Sequence, residues 1–512
     1  MKTEAEGSLT IFSALSLLLI LSFLLALLEG ARVSGLQMMD TLAADTGMDC
    51  VAAEYQTVLW DKYHLLYLDG AYGWDQFDEN KVSSRVMDYV AGNLSQTGEN
   101  SVFRTKLCEA SMLEYMFATD NDGTGMLRQA SAYMKRHLPE DVAKKMYQQY
   151  QDGKKAEADG KTEYSVEDAD QAIINAKKEK EQADQNDKEG APQEEAGEKN
   201  IQDNENNRAQ DAEDGKKESP IQIVLQLKQN ALLGMTVSDM SSLSAKAVEA
   251  KDMVSNRQCE TGRYDMKKAE KMNVSDRVMV LEYIGKHFSD YTEPGKGDLT
   301  YEMEYILCGK DTDKKNLESS IERLMRMREA ANVAHIIADR EKLNQTLMIA
   351  TSLAGFSGNP AVVKIVQIGV VAAWAYVESI LDLRTLLSGG KISLIKSAAE
   401  WTTDLKKLGE IVTGEGKARE CKNGLSYQAY IKQLLFAMKE KKMAYRMMDI
   451  MELAMQKEQN GKNARMDHMI DNMICELRFE AKPLFAKRSL YGDMEMGGYT
   501  FFKRQKLSYI NK

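Results

Sequence analysis

The sequence predicts a mainly α-helical protein with a single N-terminal transmembrane helix and a helical body that carries a small β-element near its C-terminus. Three observations predict this class. Residues 8–28 contain neither a charge nor a proline, and about 20 helical residues span a hydrocarbon core of roughly 30 Å. The 512 residues include six prolines and 31 methionines, a composition that favours helix. The residues near the C-terminus alternate in polarity as strands do.

The first 32 residues fit several arrangements. A cleaved secretory signal peptide has a basic start, a short apolar stretch and a small-residue cleavage site. This start instead mixes Lys2 with Glu4, and its apolar run is longer. A plain membrane anchor also fits. Because Lys2 and Arg32 flank the apolar segment on opposite sides, the positive-inside rule barely orients it.

A third arrangement rests on a resemblance. Residues 1–7 form a polar leader that ends in Glu6-Gly7, an uncharged helix follows at once, and Leu28-Glu29-Gly30-Ala31-Arg32 closes it. This pattern resembles the pseudopilins of Tad-type pilus systems. The resemblance implies that a peptidase cuts at the leader, with Gly7 and Ser8 as the processing site, and that the body is extracytoplasmic. The chain departs from many type IV pilins at Phe12, where they carry a glutamate.

Composition divides the rest of the chain into three parts. Residues 29–151 are predicted as a membrane-proximal helical domain and residues 220–512 as the main helical domain. Between them, residues 152–219 are rich in Asp, Glu, Lys, Gln and Asn, and acidic residues outnumber basic ones nearly two to one. Such a segment buries too little apolar surface to offset the entropy of ordering. It is predicted as an acidic low-complexity linker, with transient helix over 166–184.

Helical periodicity within the two domains predicts the individual helices. The predicted helices cover 79–94, 125–150, 276–288, 313–339, 340–354 and 425–459. In the tail, residues 499–509 are predicted to form a strand with 473–485 as its antiparallel partner, which makes a C-terminal β-hairpin.

Residues 361–387 form a second apolar stretch. Lys364 and Glu378 bracket 13 uncharged residues, fewer than the roughly 20 that a membrane span requires. The sequence therefore favours a central helix buried on all sides, although a second membrane span remains the alternative.

Charge and cysteine spacing limit the classes of function. The net charge is −11, most of it in the linker, so the domains have no basic field for nucleic acid. The six cysteines form no CxxC pair, which disfavours a zinc site and leaves the disulfide pairing open. Asp120 begins a loop that resembles a calcium site, but its twelfth position is Ser131 instead of glutamate. No metal or cofactor is expected.

One set of polar residues has helical spacing. Arg328, Asn332 and His335 follow one another at i, i+4 and i+7, and Glu302 and Glu304 precede them in the chain. These residues are predicted to form a satisfied buried network instead of a catalytic site. The sequence contains no GxSxG or HExxH motif, so no catalytic residue is predicted.

The block from Leu299 to Trp401 carries a second resemblance. Its motifs are Tyr301–Gly309, Asn316-Leu317, Arg328–Asn332, Trp374–Ser379, Asp382–Arg384, Gly389–Lys391, Lys396 and Trp401. They resemble an uncharacterised bacterial family, a domain of unknown function typical of Gram-positive anaerobes and often encoded beside Tad-type pilus genes. The resemblance implies family membership and association with such a system, but no activity.

These observations lead to one expected function and two alternatives. We expect a non-enzymatic, pseudopilin-like or accessory component of a Tad-type pilus or secretion apparatus. It would be a single-pass protein of the cell membrane whose partners are the lipid bilayer and other pilin-like proteins. The alternatives are a membrane-anchored adhesin and a wall-acting hydrolase. A hydrolase needs paired carboxylates or a nucleophile and base in a cleft.

Overall fold

The computed structural model describes residues 2–95, 101–160, 164–189, 219–264, 272–409, 416–459, 461–484 and 498–509. The side chains of residues 2–8, 140, 143, 157 and 183–189 lie outside that description.

Helices dominate the described residues, and the predicted class is confirmed. In chain order the helices are α1 Lys2–Ala52, α2 Thr57–Tyr63, α3 Glu79–Ser95, α4 Thr124–His137, α5 Glu140–Asp159, α6 Val166–Glu189, α7 Pro220–Lys228, α8 Leu232–Thr236, α9 Val274–His287, α10 Glu302–Cys308, α11 Asp313–Ala338, α12 Arg340–Ala354, α13 Pro360–Leu387, α14 Tyr427–Phe436 and α15 Glu440–Gln456. The strands are β1 Leu68–Asp69, β2 Lys106–Phe117, β3 Met469–Ala481 and β4 Tyr499–Ser508.

The chain forms two compact units, each built from separate segments. Unit 1 contains Met1–His137, Lys251–Met272 and Lys439–Lys512, and unit 2 contains Leu138–Ala250 and Asn273–Met438. The domain limits predicted from composition stay predictions. Each unit draws segments from both sides of those limits.

Unit 1 is built around an antiparallel sheet. Strand β3 pairs along its length with both β2 and β4, and β1 pairs with its first two residues. The buried side chains alternate along β3, as expected for a strand with a core on one face. They form one apolar cluster with residues of α1 and α3. The predicted pairing of the two C-terminal strands is confirmed, and the sheet also contains strands from the N-terminal part of the chain.

Strand β2 lies inside the segment that was predicted to be helical. The register between β2 and β3 shifts between Leu107 and Glu109 and again between Met112 and Glu114. Each shift is a bulge that interrupts the two-residue alternation, so the sequence pattern of a strand is hidden.

Unit 2 is organised around α13. This helix is buried from Val366 onward, and α6, α11 and α12 pack against it. Both α1 and α13 are long and apolar enough to cross a membrane by length and composition. The burial of α13 among the helices of its own unit agrees with the prediction of a central buried helix.

Helix α6 lies within the predicted linker. Val166, Ala169 and Ala176 are buried and lie on one face of the helix, which packs against α13. These three side chains dock the helix, which also carries Ala172, Ile173 and Ile174 among mostly polar residues.

The long helix predicted over 425–459 is divided in two. Helix α14 ends at Phe436 and α15 begins at Glu440. Arg277 donates hydrogen bonds to the carbonyl oxygens of Phe436 and Met438. These bonds satisfy backbone acceptors that the end of a helix leaves free.

Candidate functional site

The first half of α1 is an exposed apolar rod. Except for Leu25, its large apolar side chains from Leu9 to Leu28 are 50% to 70% exposed, and its backbone bonds are satisfied within the helix. Exposed apolar surface of this extent is typical of a segment that meets lipid or another protein. Gly7 and Ser8 lie within the α1 helix, and their side chains are outside the described residues. The processing site therefore stays a prediction.

The second half of α1 belongs to the core of unit 1. Leu36, Ala44, Met48 and Val51 are each less than 5% exposed, and this part of the helix packs against α3 and β4. At Gly47 a Cβ atom would overlap the Val90 side chain, so glycine permits the close approach of α1 and α3. One uninterrupted helix therefore joins the apolar rod to the sheet.

Two charged residues near the end of the rod turn inward. Glu29 and Arg32 form an ion pair of 2.8 Å, and both side chains are almost fully buried. Arg32 Nε donates to the carbonyl oxygen of Val102 at 2.6 Å, and Nη2 donates to that of Lys482 at 3.0 Å. These hydrogen bonds hold α1 against two other segments of unit 1. The buried ion pair keeps both charges off the outer surface.

Asp40 is the third charged residue of α1 whose side chain is buried. It is fully buried, and neither of its carboxylate oxygens receives a hydrogen bond from a described residue. Burial raises the pKa of Asp40 to about 6, and nearby Thr105 and Lys503 oppose the rise. The carboxyl is therefore poorly accommodated in its ionised form.

The outward face of α1 is consequently free of charge far beyond the rod. Glu29, Arg32 and Asp40 are the charged residues between Leu9 and Ala44, and all three are buried. On the opposite side Met38 is 74% exposed and Leu42 is 58% exposed. We call this exposed surface, from Leu9 to Leu42, the uncharged face of α1.

Unit 2 contains the predicted polar network. Arg328 is completely buried, and its guanidinium contacts Oδ2 of Asp382 through Nε at 3.0 Å and Nη2 at 2.9 Å. Asn332 donates to the same oxygen at 3.0 Å and to the Ser379 hydroxyl at 2.9 Å. Arg328 Nη1 also donates to the Tyr430 hydroxyl at 2.9 Å.

Lys396 completes this buried cluster. Its ammonium contacts Oδ1 of Asp382 at 2.5 Å and also Oε1 of Glu378. All three side chains are fully buried. Backbone amides of Thr402 and Thr403 donate to the two oxygens of Glu378 at 3.1 and 2.9 Å. The cluster contains two positive and two negative side chains that neutralise one another.

The other predicted polar residues lie elsewhere in unit 2. His335 stacks on Trp401, with ring centroids 4.9 Å apart, and burial, assisted by Lys342, lowers the pKa of His335. Glu302 accepts hydrogen bonds from Ser289. Glu304 is fully buried and accepts a 2.7 Å hydrogen bond from the Tyr427 hydroxyl. Burial raises the pKa of Glu304 to about 8, although the Tyr427 hydrogen bond opposes the rise.

Helical spacing on α11 identified Arg328 and Asn332 but missed their partners. Asp382 and Glu378 lie on α13, and Lys396 lies in the segment after it. These three residues do, however, belong to the motifs of the second resemblance. The motifs thus contain every charged residue of the buried cluster.

The remaining candidates have structural contacts of their own. Asp120 accepts hydrogen bonds from the backbone of Phe117 and Gly262, and all six cysteines are free thiols. Within the described ranges, no group of three or more His, Cys, Asp or Glu side chains is arranged to hold a metal ion. Among the described residues, open grooves of about 450 Å³ lie beside Tyr72 and Arg85 and beside Leu347 and Val363.

Comparison with known proteins gives one family match. A family model described as a family of unknown function matches residues 210–481, just over half of the chain. No curated protein and no solved structure matches the chain.

Proposed function

The chain belongs to the family of unknown function DUF5702, and we propose that it is a pseudopilin-like or accessory subunit of a Tad-type pilus or secretion apparatus. In this proposal the first part of α1 crosses the cell membrane once, and the remainder of the chain lies on the extracytoplasmic side. The protein is non-catalytic and acts by packing α1 against the helices of other pilin-like subunits. The leader and helix exit that resemble Tad pseudopilins support the assignment.

The length of the uncharged face is the observation that carries the proposal. About 34 residues of α1, from Leu9 to Leu42, expose no charge, which corresponds to roughly 51 Å of helix at 1.5 Å per residue. The hydrocarbon core of a bilayer is only about 30 Å thick. Lipid can therefore cover about the first 20 residues, and the face continues into water.

A neighbouring helix is the natural cover for the part that lipid does not reach. Met38 and Leu42 expose large apolar side chains there, and their burial in an interface is favourable. Closer to the membrane, Gly30 has open space around it and Ser34 is exposed. Small residues let two helices approach closely, which drives helix association in lipid through van der Waals packing.

Complementation of a gene deletion tests the proposal. Deletion in the native host should impair pilus assembly or surface protein export, and the wild-type gene should restore it. A gene carrying Leu42→Glu should fail to restore it, because a carboxylate cannot be buried unpaired between helices. Thr46→Glu, on the same helix but beyond the uncharged face, is the matched control and should restore assembly. Normal piliation in the deletion strain would contradict the proposal.

A further inference from the structure

The buried cluster of unit 2 brings an amine and a carboxyl group into contact in a site closed to water. We propose that Lys396 and Asp382 form an intramolecular amide bond, with Glu378 as the catalytic proton carrier. The product is an isopeptide cross-link between α13 and the segment that follows it. This inference is independent of the pilus assignment.

The two oxygens of Asp382 have different surroundings. Oδ2 receives hydrogen bonds from Arg328 and Asn332, each at 3.0 Å. Oδ1 receives no hydrogen bond of good geometry, and it faces the Lys396 ammonium at 2.5 Å. The donors on Oδ2 would stabilise the negative charge that develops there when a nucleophile adds to the carboxyl carbon. Oδ1 is left as the oxygen that departs.

Glu378 is placed to carry protons between the reacting atoms. It lies one helical turn before Asp382 on α13 and contacts the same Lys396 nitrogen. Backbone amides of Thr402 and Thr403 hold its two oxygens. Glu378 therefore touches the nucleophile from a fixed position, as a general base requires.

The reaction requires the neutral amine, which is the nucleophilic form of lysine. Lys396, Glu378 and Asp382 are all fully buried, and Trp401 lies beside the Lys396 nitrogen, with its ring centroid 5.8 Å away. Water cannot solvate the charges there, and a proton that passes from the ammonium to Glu378 leaves two neutral groups. Fixed contact between amine and carboxyl replaces a bimolecular encounter.

The reaction balances within the cluster. Lys396 gives one proton to Glu378, and its nitrogen then bonds to Cγ of Asp382. Glu378 passes that proton to Oδ1, takes a second proton from the new C–N nitrogen, and passes this one to Oδ1 as well. The C–Oδ1 bond breaks and one water leaves. Glu378 ends ionised as it began, and no oxidant or further reactant is needed.

A peptide map of the full-length protein tests the proposal directly. Trypsin cannot cleave after an acylated lysine, so the cross-link should join residues 365–384 to residues 392–406 in one species. Its mass should equal that of the two peptides minus one water, and fragmentation should place the link between Asp382 and Lys396. Free peptides 365–384, 392–396 and 397–406 without the linked species would overturn the proposal, since the cluster would then be an ordinary set of ion pairs.

Two variants separate the roles. Glu378→Gln keeps Asp382 and Lys396 but removes the proton carrier, so the linked species should be lost. Glu304→Gln changes another fully buried glutamate of unit 2 and should keep it. Circular dichroism shows whether each variant folds. A folded Glu378→Gln protein that still carries the link would overturn the role of Glu378, and if this variant does not fold, the wild-type map decides alone.

Discussion

At the scale of single residues, Asp40 holds a charge in a place that does not accommodate it. Its pKa is raised from 3.8 to about 6, chiefly by burial, so the folded state favours the protonated form. The stability that the protonated Asp40 carboxyl contributes is complete below pH 3.8 and is lost as the pH rises through about 6.

Replacement of Asp40 by asparagine should therefore stabilise unit 1 at neutral pH. The shift of about two pKa units sets a gain of roughly 1–3 kcal/mol at pH 7, and the gain should vanish near pH 4. Thermal unfolding of the detergent-solubilised protein at both pH values measures it. Asp45→Asn, at an exposed position on the same helix, is the control. A gain that is equal at pH 4 and pH 7 would argue against this explanation.

Glu304 is a second buried carboxyl group whose raised pKa makes stability depend on pH. Because burial raises its pKa from 4.5 to about 8, the stability that the protonated side chain contributes is complete below pH 4.5 and is lost as the pH rises through about 8. Glu304→Gln should be nearly neutral for stability at pH 4 and should stabilise unit 2 by roughly 2–4 kcal/mol at pH 9. The exposed Glu322→Gln should not change between the two pH values. Denaturant unfolding followed by tryptophan fluorescence reports the difference, and an effect of Glu304→Gln that is equal at pH 4 and pH 9 would be inconsistent with a raised pKa of Glu304.

Some of these residues could be recognised from the sequence and others could not. Spacing along one helix is enough to relate Arg328 to Asn332, since both lie on α11. The ion pairs of Asp382 with Arg328 and Lys396 depend on how α11, α13 and the segment after α13 pack together. Short-range periodicity contains no information about that packing.

At the scale of elements, the contact between α6 and α13 depends on one glycine. A Cβ atom at Gly369 would overlap Cβ of Ala169, so the two helices approach more closely than larger residues permit. Gly369→Val should destabilise unit 2 by roughly 1–3 kcal/mol through overpacking.

Gly234→Ala is the matched control, because that helical glycine has nothing within 4 Å of its missing Cβ. It should leave stability unchanged or raise it slightly. Chemical denaturation of the two variants compares them, and equal stabilities would show that the helices do not meet at Gly369.

The strengths and failures of prediction at this scale have physical causes. α11 and α12 were predicted nearly to their ends because each has a long periodic pattern, and α13 was predicted from a continuous apolar stretch. Strand β2 was missed because its bulges break the alternation and because its partner, β3, lies more than 350 residues later in the chain. The division between α14 and α15 was missed because Arg277, which caps the break, belongs to α9.

At the scale of the whole molecule, the proposed single membrane crossing by α1 would place the remainder of the chain on one side. A reporter fused after Lys512 should therefore be active only in its extracytoplasmic form. α13 does not alter this expectation, because its apolar residues are already buried within unit 2. A reporter active only in the cytosol would contradict the proposed topology.

In the proposed assembly, a second helix covers the uncharged face of α1 beyond the membrane. The most direct measurement places a photoreactive benzophenone residue at position 42 and irradiates native membranes, with the same residue at position 46 as the reference. Position 42 should form covalent adducts with the N-terminal helix of another copy or of another pilin-like subunit. Adducts at position 42 that contain only lipid, or none above the level at position 46, would contradict it.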